Sequence, residues 1–214
     1  MSEDARMREE IASLAKSIFD RGLTHGSTGN ISARLSDGSI LVTPTGSSLG
    51  RLDPARIAKL DSSFRHVGGD RPTKEVPLHA AFYETGTSET GAVVHLHSTH
   101  SVALSVLPDT DPENVLPPIT PYSIMQLGKV KLLPYFMPGD PAMGDAVRGL
   151  AGKHSAVLLA NHGPVVAGKT LEAAVNAMEE LEATARLALL TRGHNPRLLG
   201  EAEIRQLEIA YPRS

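Results

Sequence analysis

Two histidines, His95 and His97, stand two apart in the segment AVVHLH (92–97). That segment reads as a strand, and side chains alternate across a strand, so both imidazoles should point to the same side and can share one metal ion. A third, His162, sits in Asn161-His162-Gly163, between the apolar segments SAVLLAN (155–161) and PVVAGK (164–169). Three imidazoles with coordination positions left open describe a catalytic zinc-type centre rather than a closed structural one. The pair alone is a weak signal, because a histidine in a strand is more often packed or hydrogen-bonded than metal-bound. His100 extends the stretch to H-L-H-S-T-H. It is a candidate fourth ligand, but the chain is expected to turn into a helix after Ser98, which favours a supporting or substrate-side role. The chain has no cysteine, so any transition metal must be held by His, Asp or Glu, and disulfides and thiolate catalysis are excluded.

Glu75 follows Thr73-Lys74 just ahead of a predicted helix. A carboxylate there is commonly no more than a favourable helix N-terminal charge; beside a metal it is a proton-transfer group. Two loops combine glycine with small polar residues, Ser27-Thr28-Gly29-Asn30 and Thr43-Pro44-Thr45-Gly46-Ser47-Ser48. Each alone is more often an ordinary turn. Together with Thr73 and Lys74 they offer backbone N–H groups, hydroxyls and one positive charge from three segments, which suits a phosphate. Neither matches the nucleotide-binding patterns G-x-x-x-x-G-K-[ST] or G-x-G-x-x-G.

The elements that must position these residues follow from periodicity. Met7, Ile11, Leu14, Ile18 and Phe19 recur at helical spacing, with Gly22 where the helix should end. NISARL and SILVT form a hairpin about Asp37-Gly38. Residues 76–85 and 99–106 read as helices, 116–121 and 130–136 as short strands and connections, and 140–151 as a helix. Residues 155–161 and 164–169 are two strands. The segment 170–192 is the strongest helix, with Thr170 as N-cap and Leu171, Ala174, Val175, Met178, Leu181, Ala185 and Leu189 along one side; a last helix covers about 200–209. Tight turns between neighbouring strands favour a mixed or antiparallel sheet covered by helices.

The bulk numbers set the limits. A length of 214 residues suits one domain, 1–214, and 41% hydrophobic residues are enough for a sizeable core. A net charge of −3 gives no basic signature for nucleic acid, and a small phosphorylated ligand needs only a local set of donors. The opening MSEDARMREE has no apolar core of a secretory signal, and no apolar run approaches a membrane span; a cytoplasmic protein with no membrane partner is expected.

Taken in order, G-N-I-S, T-P-T-G, [ST]-x-E ahead of a helix, A-V-V-H-x-H and N-H-G near a long C-terminal helix resemble the class II aldolase/adducin family, from about residue 5 to residue 195. The resemblance implies a three-layer α/β/α domain with a central mixed, mainly antiparallel sheet, assembled as a homotetramer. It implies Zn2+, or another divalent ion such as Mn2+ or Co2+, on His95, His97 and His162, with Glu75 as acid/base. Asn30, Thr45, Gly46, Thr73 and Lys74 match positions that bind substrate phosphate. Tyr122 matches a tyrosine that reaches the active site of a neighbouring subunit, and Tyr211 a second one near the C-terminus. All three histidines are kept, unlike in the cytoskeletal branch. Glu75 stands where epimerases of the family carry Asp. The stretch P-T-K-E, with T-P-T-G-S-S-L-G before it and A-V-V-H-L-H-S-T after it, is most similar to the branch that decarboxylates 3-oxo-tetronate 4-phosphates through a metal-stabilised enediolate. A sugar-phosphate aldolase of the fuculose type is the alternative, although its matching stretch is Ser-Ser-Glu.

Overall fold

The computed structural model describes residues 1–85, 90–150 and 152–212. Helix α1 (Glu3–Asp20) starts on Ser2, whose Oγ accepts the Ala5 N–H, and buries Ile11, Ala15 and Ile18. It ends as the sequence predicts. Gly22 adopts φ +75°, its N–H donates to the Phe19 carbonyl, and Leu23 N–H donates to Ile18 O at 3.1 Å. This six-to-one closure needs a left-handed residue, which glycine adopts without steric cost.

After α1 come strands β1 (Asn30–Arg34), β2 (Ile40–Val42), β3 (Ala58–Leu60) and β4 (His66–Gly68), then helix α2 (Val76–Thr85) and strand β5 (Ala92–His95). Helices α3 (Thr99–Ser105) and α4 (Pro121–Gln126) precede strand β6 (Lys131–Leu133) and helix α5 (Ala142–Arg148). Strands β7 (Ala156–Leu159) and β8 (Gly163–Gly168) and helices α6 (Leu171–Thr191) and α7 (Glu201–Ala210) complete the chain. The eight strands form one sheet in the order β4-β3-β2-β1-β5-β8-β7-β6, and every pairing is antiparallel except β6 with β7. The expected mixed, mainly antiparallel α/β arrangement is therefore the observed one.

Alternation along the strands makes two cores. Ile31, Ala33, Ala92, Val94, Leu158 and Val166 pack with α1, α3 and α6 on one face. Val42, Val93, Val157, Leu159 and Val165 pack with Leu78, Ala81 and Phe82 of α2 and Met143 and Val147 of α5 on the other. Helix α6 has the predicted Thr170 cap, which accepts Ala173 N–H at 3.1 Å, and buries the predicted face from Leu171 to Ala185.

Several segments differ from expectation. Residues 116–121 are not a strand: the chain reaches Pro121 and starts α4 there, with proline at a helix position whose N–H needs no partner. The 130–136 segment shortens to β6, three residues paired in parallel with β7. The helix expected over 140–151 is α5, and its last position, 151, lies outside the described residues. The strand expected to reach His97 stops at His95, so His97 stands just beyond β5. Strands β3 and β4 and two single-turn 3-10 segments, Leu49–Arg51 and Pro54–Arg56, had no counterpart in the sequence pattern.

Candidate metal centre and active site

Strand parity aims the chemistry. On β1, Ile31 and Ala33 enter the α1/α6 core, so Asn30 and Ser32 face α2; on β5, Ala92 and Val94 do the same, so His95 faces α2 beside Val93. Asn30 pairs directly with His95 in the β1/β5 register. His95 is fully buried, and its Nδ1 lies 2.9 Å from Pro164 O on β8. A carbonyl can only accept, so Nδ1 carries the proton and Nε2 is left as a lone pair aimed inward.

His162 is held by the turn that joins β7 to β8. Its N–H closes onto Leu159 O, Asn161 takes φ +56°, and the Asn161 N–H is anchored on Ser105 Oγ of α3 at 3.1 Å. A side chain on the next residue, Gly163, would put a Cβ 2.2 Å from Leu96 O, so only glycine lets the turn pass this close to β5. That contact brings His162 Nε2 to 3.3 Å from His95 Nε2. His97 joins them despite leaving the strand, with ring centroids 5.0 Å from His95 and 4.7 Å from His162. The ligand atoms of the three histidines all lie within 4.8 Å of one another. Two imidazole nitrogens bound to one tetrahedral ion at about 2.1 Å would stand about 3.4 Å apart, so the set fits a single divalent cation.

Glu75 lies against this group. Its Oε1 is 3.4 Å from His162 Nε2 and its Oε2 is 3.6 Å from His95 Nε2, while Oε2 accepts from Asn30 Nδ2 at 2.7 Å. Burial pushes the carboxyl up, but His95, the Asn30 amide, His162 and His79 together outweigh it and hold it below its ordinary value. A cavity of about 240 Å³ opens over the group. Asn30, Thr45, Gly46, Thr73, Lys74, Glu75, His97 and His162 all line it, with Ser27, Thr28 and Pro138. His95 is sealed beneath them. The Lys74 stem runs along Gly139, where an added Cβ would fall 3.1 Å from Lys74 Cδ.

The two tyrosines matched to ones that serve a neighbouring subunit lie away from this chain's own cavity. Tyr122 is exposed on α4 and Tyr211 is exposed at the end of α7; neither lines this cavity. His100 does not support the histidines. Its Nδ1 and N–H, with the Ser101 N–H and Oγ, all engage the Glu182 carboxylate of α6, which caps the start of α3. The structure also brings in residues not singled out from sequence: His79 and Tyr83 on α2 and Ser32 on β1, linked behind Asn30. The spacing 75, 79, 83 was the available signal, since residues four apart share a helix face.

Burial, with His95 adding, drives His79 down to about 3; burial and the neighbouring imidazoles take His97 to about 3 and His162 to about 4. In the unfolded chain such groups protonate at about pH 6.5. Below that pH the unfolded state binds protons that the folded state refuses, so the stability of metal-free protein should be full above it and fall as pH drops toward 4. The slope should approach about 1.4 kcal/mol per pH unit for each histidine. Urea midpoints of chelated protein across this window measure the effect, and His79→Gln should flatten the slope by one proton. A midpoint that stays level would mean these rings are already charged in the fold.

Residues 9–189 match the family described as Class II Aldolase and Adducin N-terminal domain. A 3-oxo-tetronate 4-phosphate decarboxylase from Escherichia coli strain K12 is 48% identical over 201 residues, covering 94% of each chain. An L-fuculose phosphate aldolase from the same strain is 32% identical over 187 residues, covering 83% of each. The crystal structure of YgbL from Escherichia coli superposes with a TM-score of 0.94 at 46% identity, covering 96% of this chain and 99% of that one. With a family match over most of its length and the three-histidine group in place, the chain belongs to the class II aldolase and adducin family.

Proposed function

We propose that this protein is a carboxy-lyase that converts a 3-oxo-tetronate 4-phosphate to dihydroxyacetone phosphate and CO2. The observation that carries the reading is the Glu75 carboxylate, within 3.6 Å of two histidines of the group and lining a cavity with Lys74, Thr45 and Gly46. The 48% identical relative of that name gives the substrate class, and the more distant aldolase gives the alternative.

The substrate is a β-keto acid. When the C1–C2 bond breaks and CO2 leaves, the electron pair on C2 delocalises into the C3 carbonyl as an enediolate, and a proton added at C2 completes the product. His95, His97 and His162 would hold a divalent ion, Zn2+ or alternatively Mn2+ or Co2+, which supplies a Lewis acid for the ketone oxygen. Glu75, ionised at rest, takes up a proton from solvent in the cavity and delivers it at C2, so each turnover consumes one solvent proton. Thr45 and Thr73 present their hydroxyls and Gly46 its N–H to the phosphate, the N–H groups of Thr45 and Thr73 being taken by Arg71 O and Thr43 O. Lys74 sits on the phosphate side, because a cation fixed on the carboxylate would oppose a step in which charge leaves that group. The Asn30 amide nitrogen is taken by Glu75, so Asn30 serves the phosphate less than it serves the carboxylate.

The same reading takes the whole chain, 1–214, as one domain that works in the cytoplasm as a homotetramer, with exposed Tyr122 entering a neighbour's cavity as a catalytic side chain. Among the described residues no helix is long and apolar enough to cross a membrane. The test is to incubate purified protein with 3-oxo-tetronate 4-phosphate and, separately, with L-fuculose 1-phosphate, assaying CO2, aldehyde and triose phosphate. CO2 with triose phosphate from the first and no aldehyde from the second is expected. Aldehyde release without CO2 would overturn the assignment in favour of the aldolase.

A further inference from the structure

Behind the cavity lies a buried polar ladder that runs between one helix and one strand. Glu75, His79 and Tyr83 follow one another at four-residue steps at the start of and along α2, and Asn30, Ser32 and Arg34 follow at two-residue steps along β1. Four helical residues advance about 6.0 Å and two strand residues about 6.7 Å, so the two rows stay in step for three rungs. Each rung is bonded to the next. Asn30 Nδ2 reaches Glu75 at 2.7 Å, Asn30 Oδ1 reaches His79 Nε2 at 2.5 Å, His79 Nδ1 reaches Ser32 Oγ at 2.7 Å, and Ser32 Oγ reaches Tyr83 Oη at 2.9 Å. Arg34 closes the far end, with its guanidinium carbon 4.6 Å from the Tyr83 ring centre and a hydrogen bond to the Tyr83 carbonyl.

The donors can run only one way. A carboxylate accepts, so the Asn30 amide must turn its NH2 to Glu75 and its oxygen to His79. His79 must then donate from Nε2, which leaves Nδ1 bare to accept the Ser32 hydroxyl proton. Ser32 in turn accepts from the Tyr83 hydroxyl. Tyr83 stays protonated, because burial raises it, and His79 stays neutral, because burial lowers it. Every buried polar atom in the ladder is satisfied in this direction; reversal would set the Asn30 carbonyl oxygen against the carboxylate.

We propose that His79 is a positioning residue: its Nε2–H fixes the Asn30 amide, which holds one Glu75 oxygen and leaves the other facing His162 and the cavity. The inference deepens the decarboxylase reading and rests on it for the reaction that is assayed. His79 does not line the cavity, and its hydrogen-bonded route to Glu75 runs through Asn30.

The test has a structural arm and a kinetic arm. In the nitrogen NMR spectrum of histidine-labelled protein, the resonances that vanish in His79→Gln should report a protonated Nε2 and a bare Nδ1. The opposite tautomer, or an imidazolium, overturns the ladder; should His79→Gln fail to fold, the ring is assigned in the unmutated protein by its through-space contacts with Ser32 and Tyr83. In the kinetic arm, His79→Phe should lower kcat about 10- to 100-fold, the effect of leaving one buried acceptor without its donor. KM and metal content should change little. His79→Gln, which keeps an amide donor, should recover most of the loss, and in an Asn30→Ala background His79→Phe should cost nothing more. Losses that multiply in the double variant, or a glutamine no better than phenylalanine, overturn the proposal. No CO2 from the unmutated enzyme would instead defeat the assigned reaction and leave the ladder to its spectrum.

Discussion

Glu75→Gln should lower kcat by about 10²- to 10⁴-fold, the usual contribution of a positioned general acid or base. KM should stay near the unmutated value, because Thr45 and Gly46 approach the cavity from another segment and the Thr73 hydroxyl meets the backbone N–H of Glu75, not its side chain. The exchange is nearly isosteric. The glutamine carbonyl can still accept from Asn30, so the buried contact at the end of the ladder survives and the fold should hold. What is lost is a group that can carry a proton between C2 and the cavity. Metal content should stay close to one ion per chain, since the three imidazoles are unchanged. Measuring turnover and metal content on the same preparation separates the two roles. Turnover at the normal rate would remove Glu75 from the mechanism.

The residues around that carboxylate are largely legible in the sequence, and the reason is local. Asn30, Thr45, Gly46, Thr73, Lys74 and Glu75 each sit beside a glycine, a proline or a helix start, where short motifs declare themselves. His95 and His97 share a strand motif, and His162 sits in a turn flanked by apolar runs. The hairpin about Asp37-Gly38 and the long α6 follow from turn chemistry and helical period in the same way. The strand carrying His95 reads two residues too long, because AVVHLH alternates no differently after His95. What ends it is the close pass of Gly163 against Leu96 O, a contact between segments far apart in the chain.

Other elements have too little pattern of their own. β3, β4 and β6 are three residues each, and β4 lies at an edge with Val67 exposed, so no alternation marks it as a strand. Their place comes from neighbours: β6 exists because β7 offers a parallel edge, with α5 making the connection. The ladder behind Asn30 is hidden for a related reason. Glu75, His79 and Tyr83 share a helix face at a spacing visible in the sequence, but nothing in it says that the face meets Asn30 and Ser32 rather than solvent. Burying three polar side chains is costly unless each finds a partner, and the partners come from a strand more than forty residues earlier.

Losing the metal should abolish turnover, and the three histidines should differ in what else they lose. A Lewis acid on a reacting carbonyl contributes several kcal/mol, so chelated protein should retain less than about one part in 10³ of its activity. Adding back Zn2+, Mn2+ or Co2+ should restore it. His95→Ala, His97→Ala and His162→Ala should each bring metal content and kcat to the chelated level, because two imidazoles leave the ion poorly held. Stability in the metal-free state should separate them. His95 is fully buried and bonded to Pro164 O, so its removal opens a cavity and costs that carbonyl one of its two donors, the Leu96 N–H remaining, at about 0.5–1.5 kcal/mol for the bond alone. His97 is only partly buried, and among the described residues no hydrogen bond ties its ring to the fold, so His97→Ala should melt close to the metal-free parent. Thermal melts of the chelated variants would measure this order. Equal melting of His95→Ala and His97→Ala would mean that the Pro164 contact does not orient His95, and full turnover in chelated protein would remove the ion from the reaction altogether.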